Sequence, residues 1–468
     1  MLKSKIRPSF TDGPIFTRML LFVIPLMLTG VLQQLYNMAD NIVVGQFSGD
    51  PDALAAVGST SSLTALIINF LLGIGAGSSV VIAQFFGARD EKNVSRTVHT
   101  AMTFSFIGGL VFMAIGLVCA KPALTLMGTN EDLLEKAVLY MTIICLGIPA
   151  SSVYNFGASI LRSVGDSKTA LYILSISGVI NVLLNLFFVI VCNMSVAGVA
   201  LATIISQYVS AISVAIILIK RKGVCYNLNF RKLKIEKPLL VRIMGFGIPI
   251  ALQSSLFSLS NIVFTSAVNT FPKHTISAKT IAFNIETITY TAMNAFSQAA
   301  MTFTAQNYGA KKYKRLNRIV LFATLSVTAV GILISQTEIF FGRDLALLYI
   351  ESADPNKEAV ISDVLEIFKT MLATYFLCGI MEVMSGVLKG IGYSMSSMIC
   401  SLIGLGIRVG WVLFVTPTER FHTIFGLVVA YPLSWGASII LLGAMLIYAW
   451  HRLGIWHEAK AEKLNITR

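Results

Sequence analysis

Four ionisable residues stand inside long apolar runs of this 468-residue chain: Asp40, Glu286, Glu382 and Arg408. A charged group at membrane depth is costly, so each of the four is a functional candidate by default. Asp40 has polar neighbours on its own segment: Gln33 seven residues back, Tyr36 four back and Asn37 beside it. Helical spacing puts Gln33 and Tyr36 on its face. Asn181 and Asn185 are one turn apart and share a face, and Tyr290 continues the face of Glu286. Glu382 and Arg408 lie on consecutive apolar runs and are expected to form a structural ion pair, so Glu382→Ala should lower folded yield. Polar groups inside such runs tend to face the protein interior. Tyr36, Asn37, Tyr154, Asn155, Asn261, Asn284, Tyr290 and Gln298 are therefore candidate substrate contacts. The 18 Met and 29 Phe suit adaptable apolar walls.

The elements that must carry these residues are membrane helices. Only 13% of the chain is charged, 55% is apolar and the mean hydropathy is +0.76. A soluble domain carries about 25% charged residues, so a soluble enzyme, a disordered chain and a disulfide scaffold are all excluded. Twelve runs reach the roughly 20 apolar residues that a span needs. They lie near 15–44, 54–86, 94–120, 134–160, 169–192, 196–219, 241–270, 276–307, 316–341, 364–388, 394–416 and 424–450. The basic N-terminus (Lys3, Lys5, Arg7) precedes a run too long for a cleaved signal. With the N-terminus inside, 27 of the 36 Lys and Arg face the cytoplasm and 8 face out. This asymmetry predicts two cytoplasmic termini, and it makes the net charge of +13 a topology signal rather than a nucleic-acid patch.

Neither the five histidines nor the six cysteines show metal-ligand or disulfide spacing, so no metal or cofactor is expected. Gly73-x-Gly75-x-Gly77 imitates a dinucleotide fingerprint, but it lies inside a span and reads as close helix packing. Gly165-Asp166-Ser167-Lys168-Thr169 lacks the glycine spacing of a phosphate loop, which argues against direct ATP drive.

The two halves of the chain repeat. Ile24-Pro25 falls on Ile248-Pro249 and Asn37 on Asn261. Gln84 to Arg89 falls on Gln306 to Lys311, Leu161 to Gly165 on Leu388 to Gly392, and Gly198 with Ser206 on Gly426 with Ser434. Six spans per half give both halves the same orientation. The expected fold is an all-α membrane protein of twelve helices, with two six-helix bundles related by a pseudo-two-fold axis along the membrane normal. The divisions expected are an N-terminal bundle (1–219), a basic cytoplasmic linker (220–240), a C-terminal bundle (241–450) and a cytoplasmic tail (451–468).

On these residues the chain resembles the multidrug and toxic compound extrusion (MATE) transporters over about 10–455. The Pro25 helix running through Gln33 to Asp40 carries the likeness, with the Gln-x-x-Gly-Ala-basic ends of spans two and eight. Leu-Arg-Ser-Val-Gly-Asp after span four and Leu-Lys-Gly-Ile-Gly after span ten add to it. The resemblance implies an antiporter, not an enzyme, that exports amphipathic and often cationic compounds in exchange for H+ or Na+ by alternating access. It implies an ion-coupling set of Asp40, Gln33, Asn181, Asn185 and Glu286. Many relatives carry Asp where Asn185 stands, so this chain has one carboxylate fewer, a weaker cage for sodium that favours protons. A monomer in the bacterial plasma membrane is expected, its partners being organic substrates and lipid. The alternative is a flippase for a lipid-linked precursor, which would want a base-lined cleft. Arg408 is the one base at membrane depth.

Overall fold

The structure, a computed structural model, describes residues 10–48, 52–350 and 355–454, and these are helical almost throughout. Eleven described stretches are long and apolar enough to cross a membrane. The twelfth expected span, α8 (Lys273–Gly309), is longer than any single helix among them at 37 residues. It falls short on hydropathy because Lys279, Asn284, Glu286 and a run of threonines interrupt it.

Helices α1 (Ile15–Phe47), α2 (Ala53–Gly87), α3 (Glu91–Leu126), α4 (Glu131–Ser163), α5 (Ser167–Leu186) and α6 (Ser195–Lys220) cover the first half. The second half has α7 (Lys237–Val268), α8, α9 (Tyr313–Phe340), the short α10 (Gly342–Leu347), α11 (Lys357–Met371), α12 (Tyr375–Ile391), α13 (Ser394–Gly410), α14 (Ile424–Val428) and α15 (Ala430–Arg452).

The chain divides into two compact units, but not at the basic linker. One unit contains Ile24–Ala251 and the other contains Phe10–Val23 with the chain from Leu252 onward. This corrects the expected boundaries at 219 and 241. Both crossings fall beside a proline inside a helix, Pro25 in α1 and Pro249 in α7, where the missing N–H interrupts the ladder and lets a helix serve two neighbours. Local bonds explain the allegiances. In the second unit, Phe10 donates its backbone N–H to Gln306 (2.9 Å), Lys312 reaches Asp12 (2.6 Å) and Phe10 stacks on Phe303 at 3.9 Å. In the first unit the basic segment is docked rather than free. Asn229 N–H donates to His99 Nε2 (3.1 Å), Arg96 pairs with Glu236, and Arg242 donates to Gln84 (2.8 Å). The Arg96 guanidinium holds the Glu236 carboxyl below its ordinary value. Of the expected tail, residues 455–468 lie outside the described residues, as do Lys3, Lys5 and Arg7.

The repeat is visible in the backbone of each unit. Arg89 and Lys311, 222 residues apart in sequence, both take left-handed φ, 58° and 56°. Gly165 and Gly392 do the same at 89° and 104°. A π-helical turn follows α5 at Phe187–Val191 and α13 at Trp411–Val415. The glycines of α2 serve packing, as their spacing suggested. A Cβ on Gly73 would stand 2.3 Å from the Ala251 backbone, and one on Gly77 2.4 Å from Gly247 N.

Candidate functional site

In the first unit, α1 carries Asp40 into contact with α5 and α6. Asn185 donates its amide to Asp40 Oδ1, and Thr203 Oγ1 lies 3.5 Å from Oδ2. Asn185 also reaches Asn181 Oδ1 at 3.4 Å, so the two asparagines act as one arm. Asn185 is fully buried, and its own Oδ1 has no partner. Tyr36, one turn before Asp40, lays its ring over Gly178 and donates to Ser175 O (3.3 Å). An added Cβ at Gly178 would come within 1.8 Å of that ring. The result is a carboxylate with two directed donors and one unsatisfied amide oxygen, a set that can hold and release a proton or small cation.

Gln33 does not join this set. It is exposed, seven residues back along α1, as is Asn37 on the adjoining face. Thr203 was missed by sequence reasoning because a threonine in an apolar helix carries no charge signal. Its place one turn before Ser206, a residue of the repeat, was the available hint. Tyr154 bonds Ala170 O (3.4 Å), and Asn155 turns back on Ser151 (2.9 Å), so both brace helices locally.

In the second unit, Tyr375 of α12 donates its hydroxyl to Glu286 of α8. From Glu286 a polar stripe descends α8 at four-residue spacing through Tyr290, Asn294 and Gln298. Tyr290 bonds Asn294, and Gln298 donates to Asn294 at 2.7 Å. All four are half-buried, and Asn284 lies on the exposed face. Glu338 of α9, which sequence reasoning passed over, is 6% exposed and accepts from Thr289 Oγ1 at 2.7 Å. It sits in the last turn of its span, where an acid reads as interfacial.

The expected Glu382–Arg408 pair does not form. Arg408, 1% exposed, donates to Ser260 from Nε (3.1 Å) and Nη2 (2.9 Å), and stands 3.5 Å from Asn261 Oδ1. Its guanidinium lies between the rings of Phe257 (4.7 Å) and Tyr431 (4.6 Å). The reason is depth. Glu382 stands ten residues before the Gly392 turn and Arg408 sixteen after it. At 1.5 Å per residue that separates them by about 9 Å along the helices.

Residues 25–187 and 249–412 match the MatE family, each segment opening on one of the paired prolines. The chain belongs to the MatE family. A probable multidrug resistance protein of Bacillus subtilis, YoeA, is 30% identical over 96% of both chains. An FAD transporter of Shewanella oneidensis is 24% identical over 89% of this chain and 90% of its own. Among solved structures, a MATE crystallised with MaL6 superposes with a TM-score of 0.87 at 22% identity, covering 96% of this chain and 99% of that one. MatE proteins are multi-pass membrane transporters, and the all-helical two-bundle fold accords with membership.

Proposed function

We propose that this MatE protein is a secondary active exporter that moves amphipathic, chiefly cationic organic compounds outward in exchange for H+ or Na+ by alternating access. The observation that carries this is the Asp40 carboxylate, held inside the first bundle by Asn185 and Thr203 beside an unpartnered amide oxygen. An ion can drive transport only if its affinity differs between the two access states. A carboxylate on one helix whose partners come from two others senses any change in their spacing. The stripe from Glu286 to Gln298 offers organic substrates a carboxylate, a phenol and two amides. The protein acts as a monomer in the plasma membrane, with both termini in the cytoplasm, which is where the Lys and Arg bias puts them.

The flippase alternative would need an accessible base for a diphosphate, and Arg408 is enclosed by Phe257 and Tyr431. The test is dye movement in proteoliposomes under an imposed pH gradient, then under a sodium gradient. Wild-type protein should respond to at least one, and Asp40→Asn should lose most of that response. Gradient-driven movement at the wild-type rate in Asp40→Asn would remove Asp40 from the mechanism.

A further inference from the structure

We propose that Glu338, Thr289 and Ser335 form a second cation site between α8 and α9, filled by a proton or a small monovalent metal ion. This deepens the antiport reading and rests on it for its role in transport, though not for its existence.

Glu338 Oε2 accepts from Thr289, but Oε1 is buried and has no partner. Ser335 stands three residues earlier on α9 and on the same face. It is 1% exposed, and its hydroxyl is likewise unpartnered. Two orphaned oxygens on one helix face, beside a third oxygen on Thr289, leave acceptor capacity unused where most buried polar groups are partnered. Lipid supplies no replacement donors. Oxygen ligands of this kind suit a hard cation or a proton.

The position sharpens the case. Glu338 lies in the last turn of α9, where the helix dipole is negative. A bare carboxylate is disfavoured there, and a bound positive charge is favoured. Its charged surroundings are few. On α8, Glu286 lies one turn before Thr289 and interacts with Glu338 through charge. Glu286 in turn is bonded by Tyr375 and feels Lys279 and Arg408. On α11, Asp363 is taken by Thr275 and His274, and Glu358 pairs with Arg343. Thr289 thus holds a carboxylate near the end of α9 one helical turn from the residue that heads the α8 stripe. In the proposed orientation that end faces outward, the side from which a driving cation enters.

The test uses full-length protein with Glu338→Gln and Ser335→Ala. Bound protons (by pH jump) and bound Na+ (by radiotracer) are counted in detergent, and dye movement is followed under each gradient. Glu338→Gln keeps an oxygen for Thr289, so it should fold, and it should bind one cation fewer per protein. The driving-cation concentration for half-maximal movement should rise tenfold or more. Ser335→Ala should raise it several-fold if the ion is Na+ and less if it is a proton. An unchanged cation count and unchanged half-maximal concentrations in both variants would overturn the proposal. If wild-type protein moved no dye on either gradient, the antiport reading would fail, and the cation count would still decide the site.

Discussion

Two buried or half-buried carboxylates, Asp40 and Asp166, depend on donors from other helices, and their differing surroundings give different expectations. Asp40 has only an amide and a hydroxyl. Asn185→Asp would add a second negative charge to that set and is expected to strengthen sodium-driven transport relative to proton-driven transport, measured as the ratio of the two rates. Asp166 caps α5 through Thr169 and pairs with Arg221 at 2.5 Å. Burial pushes its carboxyl up, but the Thr169 and Arg221 hydrogen bonds and the Arg221 charge outweigh that and hold it below the ordinary value. A depressed carboxyl contributes stability above its unfolded value and loses it as pH falls through the folded one. The melting temperature in detergent should therefore be steady near neutral pH and drop on acidification below the usual aspartate range. Asp166→Asn should flatten that drop and lower neutral stability by about 1.5–3 kcal/mol through the lost charge-assisted bond to Arg221, since asparagine caps a helix as well as aspartate does. Glu382→Ala, with no Arg408 partner to strand, is now expected to leave folded yield unchanged, measured by size-exclusion chromatography. Asp40 and its asparagine arm were legible in the sequence because charge and amide spacing survive in one dimension. Thr203, Glu338 and the true partners of Arg408 were not, because they depend on depth and on which helices adjoin.

At the scale of the helix, all twelve spans were legible in the sequence, although α8 is the one that falls outside the eleven most apolar. α8 is less apolar because it carries the Glu286 stripe, and its 37-residue length kept it recognisable as a span. Packing was legible where small residues recur at four-residue spacing. Gly73 and Gly77 meet Ala251 and Gly247 backbone to backbone. Gly77→Ala is expected to destabilise by roughly 1–3 kcal/mol, because backbone cannot rotate aside as a side chain does. A lower melting temperature with the fold retained by circular dichroism is the check. The π-helical turn that begins two residues after Asn185 was not legible, since nothing in Phe187–Val191 marks it. π turns recur near functional sites, and this one follows the residue that grips Asp40.

For the molecule as a whole, the duplication was readable from paired motifs, but the division of labour between the halves was not. Hydrophobic runs and basic loops place a boundary at the linker. Hydrogen bonds of Gln306, Lys312, Gln84 and Thr100 place it inside α1 and α7 instead. Severing the chain at Gly223 therefore separates neither unit cleanly. Each half expressed alone should be degraded or aggregated, and co-expression should restore a folded complex, read by co-purification on a tag carried by one half. Each unit also takes the opening stretch of the other half's first helix. A polypeptide of one repeat length, packed as these units are, would need the opening segment of a second copy to complete its bundle. In this chain that second copy is built in, and one polypeptide lends both opening segments.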